Sequence, residues 1–434
     1  MDTLISNATV VTMNERMEVL FGAYIGITEG KISYIGKTAP EGTPATILDG
    51  TGMVAMPGLV NCHTHLANTA LRTAFEDMPD HEALENLLHR QSKIDARCAK
   101  AAATVGIAEC LRFGITSLSD LHYHPQVVAE VAAEAGIKAN IALSTHRYEG
   151  ESEDYDFDTD PQTGILTTLA EKWHNYDNGR IRIEGGLHGE YTSNRQLWEG
   201  LAGFCAEKSL GLQLHLSQSR QEVESCLERT GLAPAELLSC HGLLNGKLTA
   251  AGCGALAEEE LALLGKRKAT VVALPLEDGR SGRPSLDITK AVKAGCNVAL
   301  GTGGANDGGQ QDLFEAMRLA ACTQRVAQGH PEAMPATALL TMATICGAYA
   351  QGRTDCGMLK EGMDADIILV DFSAPHLLPC HNVLSALVFC AKGGDVAMTM
   401  VRGKVLYQNG HFPTLDLQTA VTELTQYAIP TIFS

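Results

Sequence analysis

Eight short apolar runs, each followed by a stretch of different periodicity, set the strongest limit on what this chain can fold into. The runs are VAMPGLVN ending at Asn61, ITSLSDL from Ile115, IKANIALS from Ile137, IRIEGGLH from Ile181, LQLHLS from Leu212, KLTAAG from Lys247, ATVVALP from Ala269 and NVALGT from Asn297. Segments between them, such as AAATVGIAECLRF, LWEGLAGFCAEKSL, EEELALLGK and DLFEAMRLAACTQRV, carry apolar residues at the spacing of a helix that buries one face. Strands alternating with helices pair in parallel rather than as hairpins. Eight such units predict an α/β chain with a (β/α)8 TIM-type barrel, assigned to residues 57–354. In that architecture the chemistry sits where the strands end, and His63, His65, His188 and His215 all fall there.

The flanks have another texture. ISNATVVTM, GAYIGITEGKISYIGK and ATILDG alternate short β-rich runs with Gly turns, and the pattern returns in GMLKEGMDADIILVDFS and MTMVRGKVLYQNGHF. The two ends are therefore expected to pair into one small β-sandwich domain, residues 1–56 with 355–434.

Within MPGLVNCHTHLA, His63 and His65 are separated by one residue at the end of an apolar strand. Side chains two apart in a strand point the same way, so both imidazoles can reach one metal ion. Composition narrows what that metal could serve. A formal charge of -18 repels phosphate backbones and anionic lipid, which argues against nucleic acid and membrane surfaces as partners. No run of about 18 apolar residues exists to span a bilayer. The N-terminus has no basic segment leading into an apolar core, and the 13 cysteines nowhere form CxxC. Reduced thiols and a cytoplasmic location are expected.

The order β-rich segment, barrel with PGLVNCHTHLA on its first strand, and closing GMLKEGMDADIILVD resembles the amidohydrolase superfamily. Within it the chain is similar to the heterocycle aminohydrolase and chlorohydrolase branch, over essentially its whole length. The resemblance implies one divalent metal, with zinc the expected ion, held by His63, His65 and the strand-five His215 in QLHLSQS. It also implies a small-molecule ligand or substrate and a homo-oligomeric habit. The match breaks at four positions. Gln218 stands where the branch has a glutamate, Gly252 where it has a strand-six histidine, Ala273 where it has a strand-seven histidine, and Gly303 where it has a strand-eight aspartate. On strand four GLHGEY places His188 at a substrate-contacting position and introduces Glu190. Ala83 lies near the place of a tryptophan that walls the substrate, which speaks against a nucleoside.

Glutamine cannot take or release a proton at neutral pH, and each general acid or base contributes about 10²- to 10⁴-fold. The expected activity is hydrolysis of a C–N bond in a small cyclic or heterocyclic compound by a non-standard mechanism. In it Glu190 serves as replacement base, and His188 and Gln218 contact substrate. Glu277, Asp278 and Asp307 are further acids near strand ends, and Tyr123, Tyr148 and Tyr191 are candidate ring contacts. The alternative is a catalytically inactive pseudoenzyme that keeps the barrel as a small-molecule binding module or scaffold.

Overall fold

The computed structural model of the chain describes residues 1–147 and 155–434. Tyr148 lies outside them. The chain opens with β1 (Thr3–Val11), β2 (Val19–Thr28), β3 (Lys31–Gly36), β4 (Thr46–Asp49) and β5 (Met53–Pro57). The barrel strands are β6 (Leu59–His65), β7 (Ile115–His122), β8 (Lys138–Leu143), β9 (Ile181–Leu187), β10 (Leu212–Leu216), β11 (Leu248–Gly252), β12 (Thr270–Ala273), β13 (Asn297–Leu300) and the two-residue β14 (Gly303–Gly304). Near the end follow β15 (Ile367–Asp371), β16 (Val396–Val401) and β17 (Lys404–Gln408).

β6 to β13 pair side by side in chain order, all parallel. β13 pairs with β12 and β14 pairs with β6, in register Gly303↔Thr64 and Gly304↔His65. Because β13 and β14 are the ends of one short segment, the sheet closes on itself, as eight βα units require.

The first apolar run is not one strand. It is cut at Gly58, so that Met53–Pro57 joins the terminal sheet and Leu59–His65 opens the barrel. A side chain at 58 would overlap Thr116, which explains the glycine at this crossing.

The two ends of the chain form one mixed sheet in the order β17-β16-β15-β5-β1-β2-β3, with β4 also paired to β1. Strand alternation divides its burial. Val54, Met56, Ile368 and Val370 join the barrel core, while Ala55, Ile367 and Leu369 join a separate core with Ile5, Val10, Ile25 and Met400. The last residues turn helical, and Ala428 and Ile432 pack against Cys98, Ala99 and Ala102 of the barrel helix Ala96–Arg112. All 13 cysteines are free thiols, and no helix among the described residues is long and apolar enough to cross a membrane.

A buried ionic cluster ties the terminal sheet to the barrel. Lys138, fully buried at the start of β8, places Nζ 2.7 Å from Asp366, 2.9 Å from Asp364 and 3.4 Å from Asp355. Asp364 also pairs with Arg402 at 2.9 Å and Lys31 at 3.0 Å. Burial alone would raise the Asp364 carboxyl, but the charge of Lys138 and hydrogen bonds from Lys138, Lys31 and Arg402 hold it at about 2. A carboxylate with a depressed folded pKa contributes stability above its ordinary value that is lost as pH falls through about 2. Asp364→Asn is therefore expected to be less stable at pH 7 and to lose less stability than the native chain between pH 4 and 2, as read by urea unfolding at each pH.

Candidate metal centre

β6 presents His63 and His65 on one face, and β10 presents His215 from across the barrel. The Nε2 of His215 lies 3.0 Å from Nε2 of His63 and 3.2 Å from Nε2 of His65. Among the described residues these three form the group whose ligand atoms all lie within 4.8 Å of one another. The Nδ1 atoms of His65 and His215 are engaged by carbonyls. His65 Nδ1–H donates to Leu121 O at 2.6 Å, and His215 Nδ1–H donates to His188 O at 2.5 Å. Those bonds put the proton on Nδ1 and leave Nε2 as a lone pair.

Burial pushes all three imidazoles down in pKa, so each stands in the neutral form that a metal requires. The Nε2 lone pairs of His65 and His215 face each other at 3.2 Å and repel unless a cation lies between them. The donor set fits a tetrahedral divalent ion with one open position, and neutral imidazole nitrogens suit zinc.

The turn leaving β6 is anchored by a residue the sequence reading passed over. Asp120, fully buried on β7, accepts from Leu66 N at 2.7 Å and from Thr64 Oγ1 at 3.0 Å. Burial raises its carboxyl to about 7. Thr64 points away from the two histidines it separates, and Asp120 fixes both Thr64 and the backbone after His65. An acid inside the apolar run ITSLSDL was the available signal, since a buried carboxyl needs partners.

A cavity of about 420 Å³ opens beside the imidazoles, lined by His65, His122, His188, His215, Gln218 and Glu277, among others. His188 lines the cavity. Its Nδ1 pairs with Thr192 Oγ1 at 2.8 Å, its ring stands edge-on to His215 at 5.4 Å, and burial beside His65 and His146 lowers it to about 3. Gln218 also lines the cavity, with its backbone held by Glu222. Glu222 spends both oxygens on the amides of Ser217 and Gln218, each at 2.8 Å, and burial raises it to about 7. The SRQE sequence is a capping-box pattern, and Ser219 does cap the helix Arg220–Thr230.

The side chain of Glu190 is fully buried, both oxygens accept from Arg229 Nη2 at 2.9 Å, and it does not line the cavity. The role expected for Glu190 from its place after His188 would have to be played from this ion pair. Asp278 is buried and raised well above the usual carboxylate range by burial and by neighbouring Glu277. Asp307 lines the cavity mouth and accepts from Asn306 Nδ2 at 2.7 Å. His122 meets Asn68 at 3.1 Å and His124 meets Ile94 O at 2.6 Å.

Of the positions expected to depart from the branch pattern, Gln218 lines the cavity. Ala273 packs into the apolar core at the end of β12. Gly252 and Gly303 adopt φ of +85° and +68°, a conformation that glycine takes without strain. A Cβ at 252 would stand 2.5 Å from Gln218 Cγ, and a Cβ at 303 would overlap Glu277 Oε2.

The sequence profile of the amidohydrolase family matches residues 54–406. The 5-methylthioadenosine/S-adenosylhomocysteine deaminase of Caldicellulosiruptor saccharolyticus is 31% identical over 98% of this chain and 97% of its own. An adenosine deaminase from Xanthomonas campestris, crystallised with bound zinc, superimposes with a TM-score of 0.93 at 26% identity, covering 100% of this chain and 99% of its own. The zinc complex of atrazine chlorohydrolase from Arthrobacter aurescens gives 0.91 at 26% identity, covering 99% of this chain and 100% of its own.

Proposed function

The chain belongs to the amidohydrolase family, and from that premise we propose that it is a zinc-dependent hydrolase of a C–N bond in a small aminated heterocycle. The observation that carries this reading is the convergence of three neutral Nε2 atoms on one point beside a cavity of about 420 Å³. Bound there, zinc would supply Lewis acidity and an acidified water. The chain's own groups do the rest. His188, held neutral and fixed through Nδ1 by Thr192, offers Nε2 to a ring nitrogen or exocyclic group of the substrate. Gln218 offers an amide that can orient a ligand but cannot shuttle its proton. His215 and Glu277 at the cavity are buried, and polar contacts made beside buried groups are stronger than in open solvent.

The relatives named above are a 5-methylthioadenosine/S-adenosylhomocysteine deaminase, an adenosine deaminase and an atrazine chlorohydrolase, so purine and triazine rings both belong in the test. With zinc-loaded protein, release of ammonia from aminated purines, pyrimidines and triazines is expected for at least one ring class. A second reading, a barrel that binds such rings without turning them over, draws on Gln218, Gly252 and Gly303. It is favoured if these compounds raise the melting temperature while no product forms.

A further inference from the structure

We infer that Glu277 is the proton acceptor of this site, working from the strand-seven side of the cavity into side-chain space that Gly303 leaves open. The inference rests on the hydrolase reading above.

Glu277 lies on the helix Pro275–Ser281, which begins directly beyond the end of β12. It is 4% exposed and lines the cavity. Its Oε2 occupies the place where any side chain on residue 303 would begin, and residue 303 pairs with Thr64, between the two histidines of β6. Its Oε1 accepts from Arg283 Nη1 at 3.1 Å and lies 3.4 Å from Gln218 Nε2. Arg283 places a positive charge beside the carboxylate, and Gln218, three residues beyond His215, restrains its orientation. Gln218 in turn fills the room that Gly252 leaves. The two glycines and the two long side chains are thus paired exchanges of volume: a side chain restored at 252 or 303 would collide with Gln218 or Glu277.

Glu277 is itself paired with Arg283, and the other carboxylates around the cavity are held by different partners or lie at its rim. Glu222 is spent on backbone amides, Asp307 accepts from Asn306, and Glu76 pairs with Arg280 at the exposed rim with Asp77 and Glu85. Glu277 stands outside the group of ligand atoms lying within 4.8 Å of one another, which fits an acceptor of protons rather than a metal ligand. As the water oxygen bonds to the ring carbon, one water proton passes to the Glu277 carboxylate. The acid returns that proton to the departing amine nitrogen, which leaves as ammonia; the ring keeps the hydroxyl oxygen and the carboxylate is regenerated.

The test combines Glu277→Gln and Glu277→Ala with Gly303→Ala in zinc-loaded full-length protein. On the best substrate of the ammonia-release panel, Glu277→Gln is expected to lower kcat by about 10²- to 10⁴-fold with KM within about fivefold and zinc content unchanged. In thermal unfolding, Gly303→Ala is expected to cost fewer degrees in the Glu277→Ala background than in the native one, because the collision is gone. If the native protein turns over and Glu277→Gln keeps its rate within about threefold, this inference falls while the hydrolase reading stands. A parallel loss of zinc would make Glu277 a ligand and overturn its assignment as acceptor. Additive melting shifts would show that Glu277 does not occupy the space at 303. No ammonia from any substrate by native protein would overturn both readings.

Discussion

His215→Ala is expected to lose zinc and turnover together. Of the three imidazoles, His215 is the one whose Nε2 lies within 3.2 Å of both others, so its removal leaves a two-histidine pair on one strand facing an open gap. Losing a group that merely orients a ligand costs about 10- to 100-fold in metal affinity, so losing the ligand itself costs at least about 100-fold. The consequence for stability is equally specific. Native protein in zinc at a thousand times Kd gains about 4 kcal/mol, and the variant forfeits that gain. Without metal the two proteins should melt close together, since the variant trades a small buried cavity for relief of lone-pair crowding. Zinc content by plasma emission, melting temperature with and without zinc, and ammonia release check the three parts.

Lys138→Met is expected to destabilise the fold by about 3–5 kcal/mol while leaving the cavity intact. Lys138 is fully buried and neutralises Asp366 at 2.7 Å and Asp364 at 2.9 Å. Methionine matches its length but leaves those carboxylates in the interior without that charge. Asp364 keeps Arg402 and Lys31, whereas among the described residues Asp366 keeps a hydrogen bond from Arg402 N. The double variant Lys138→Met with Asp366→Asn should therefore recover much of the loss, because the stranded charge is the main source of the cost. Equilibrium urea unfolding of the single and double variants measures this. The cluster lies where the segment leading into β15 meets the start of β8, so the cost falls on docking of the terminal sheet rather than on the histidines.

The barrel was legible because each run and helix carries its own periodicity, and strand alternation alone puts His63 and His65 on one face. The cut at Gly58 was not, since an apolar run crossing from one sheet to another keeps its hydrophobicity; only contact with Thr116, far along the chain, marks the crossing. Glu190 and Glu277 show the same limit at the site. Both are acids just past a strand end, and nothing local ranks them. Glu190 is claimed by Arg229 on another helix, while Glu277 lines the cavity beside Gly303. Read alone, Gly303 and Gly252 are missing side chains; in three dimensions their space is filled by Glu277 and Gln218.

Zinc titration into chelator-stripped full-length protein, with the bound metal counted after gel filtration, tests the central claim most directly. Binding of one zinc per chain in the native protein, lost in His215→Ala, is the predicted result. A native chain that retains no zinc would contradict the account.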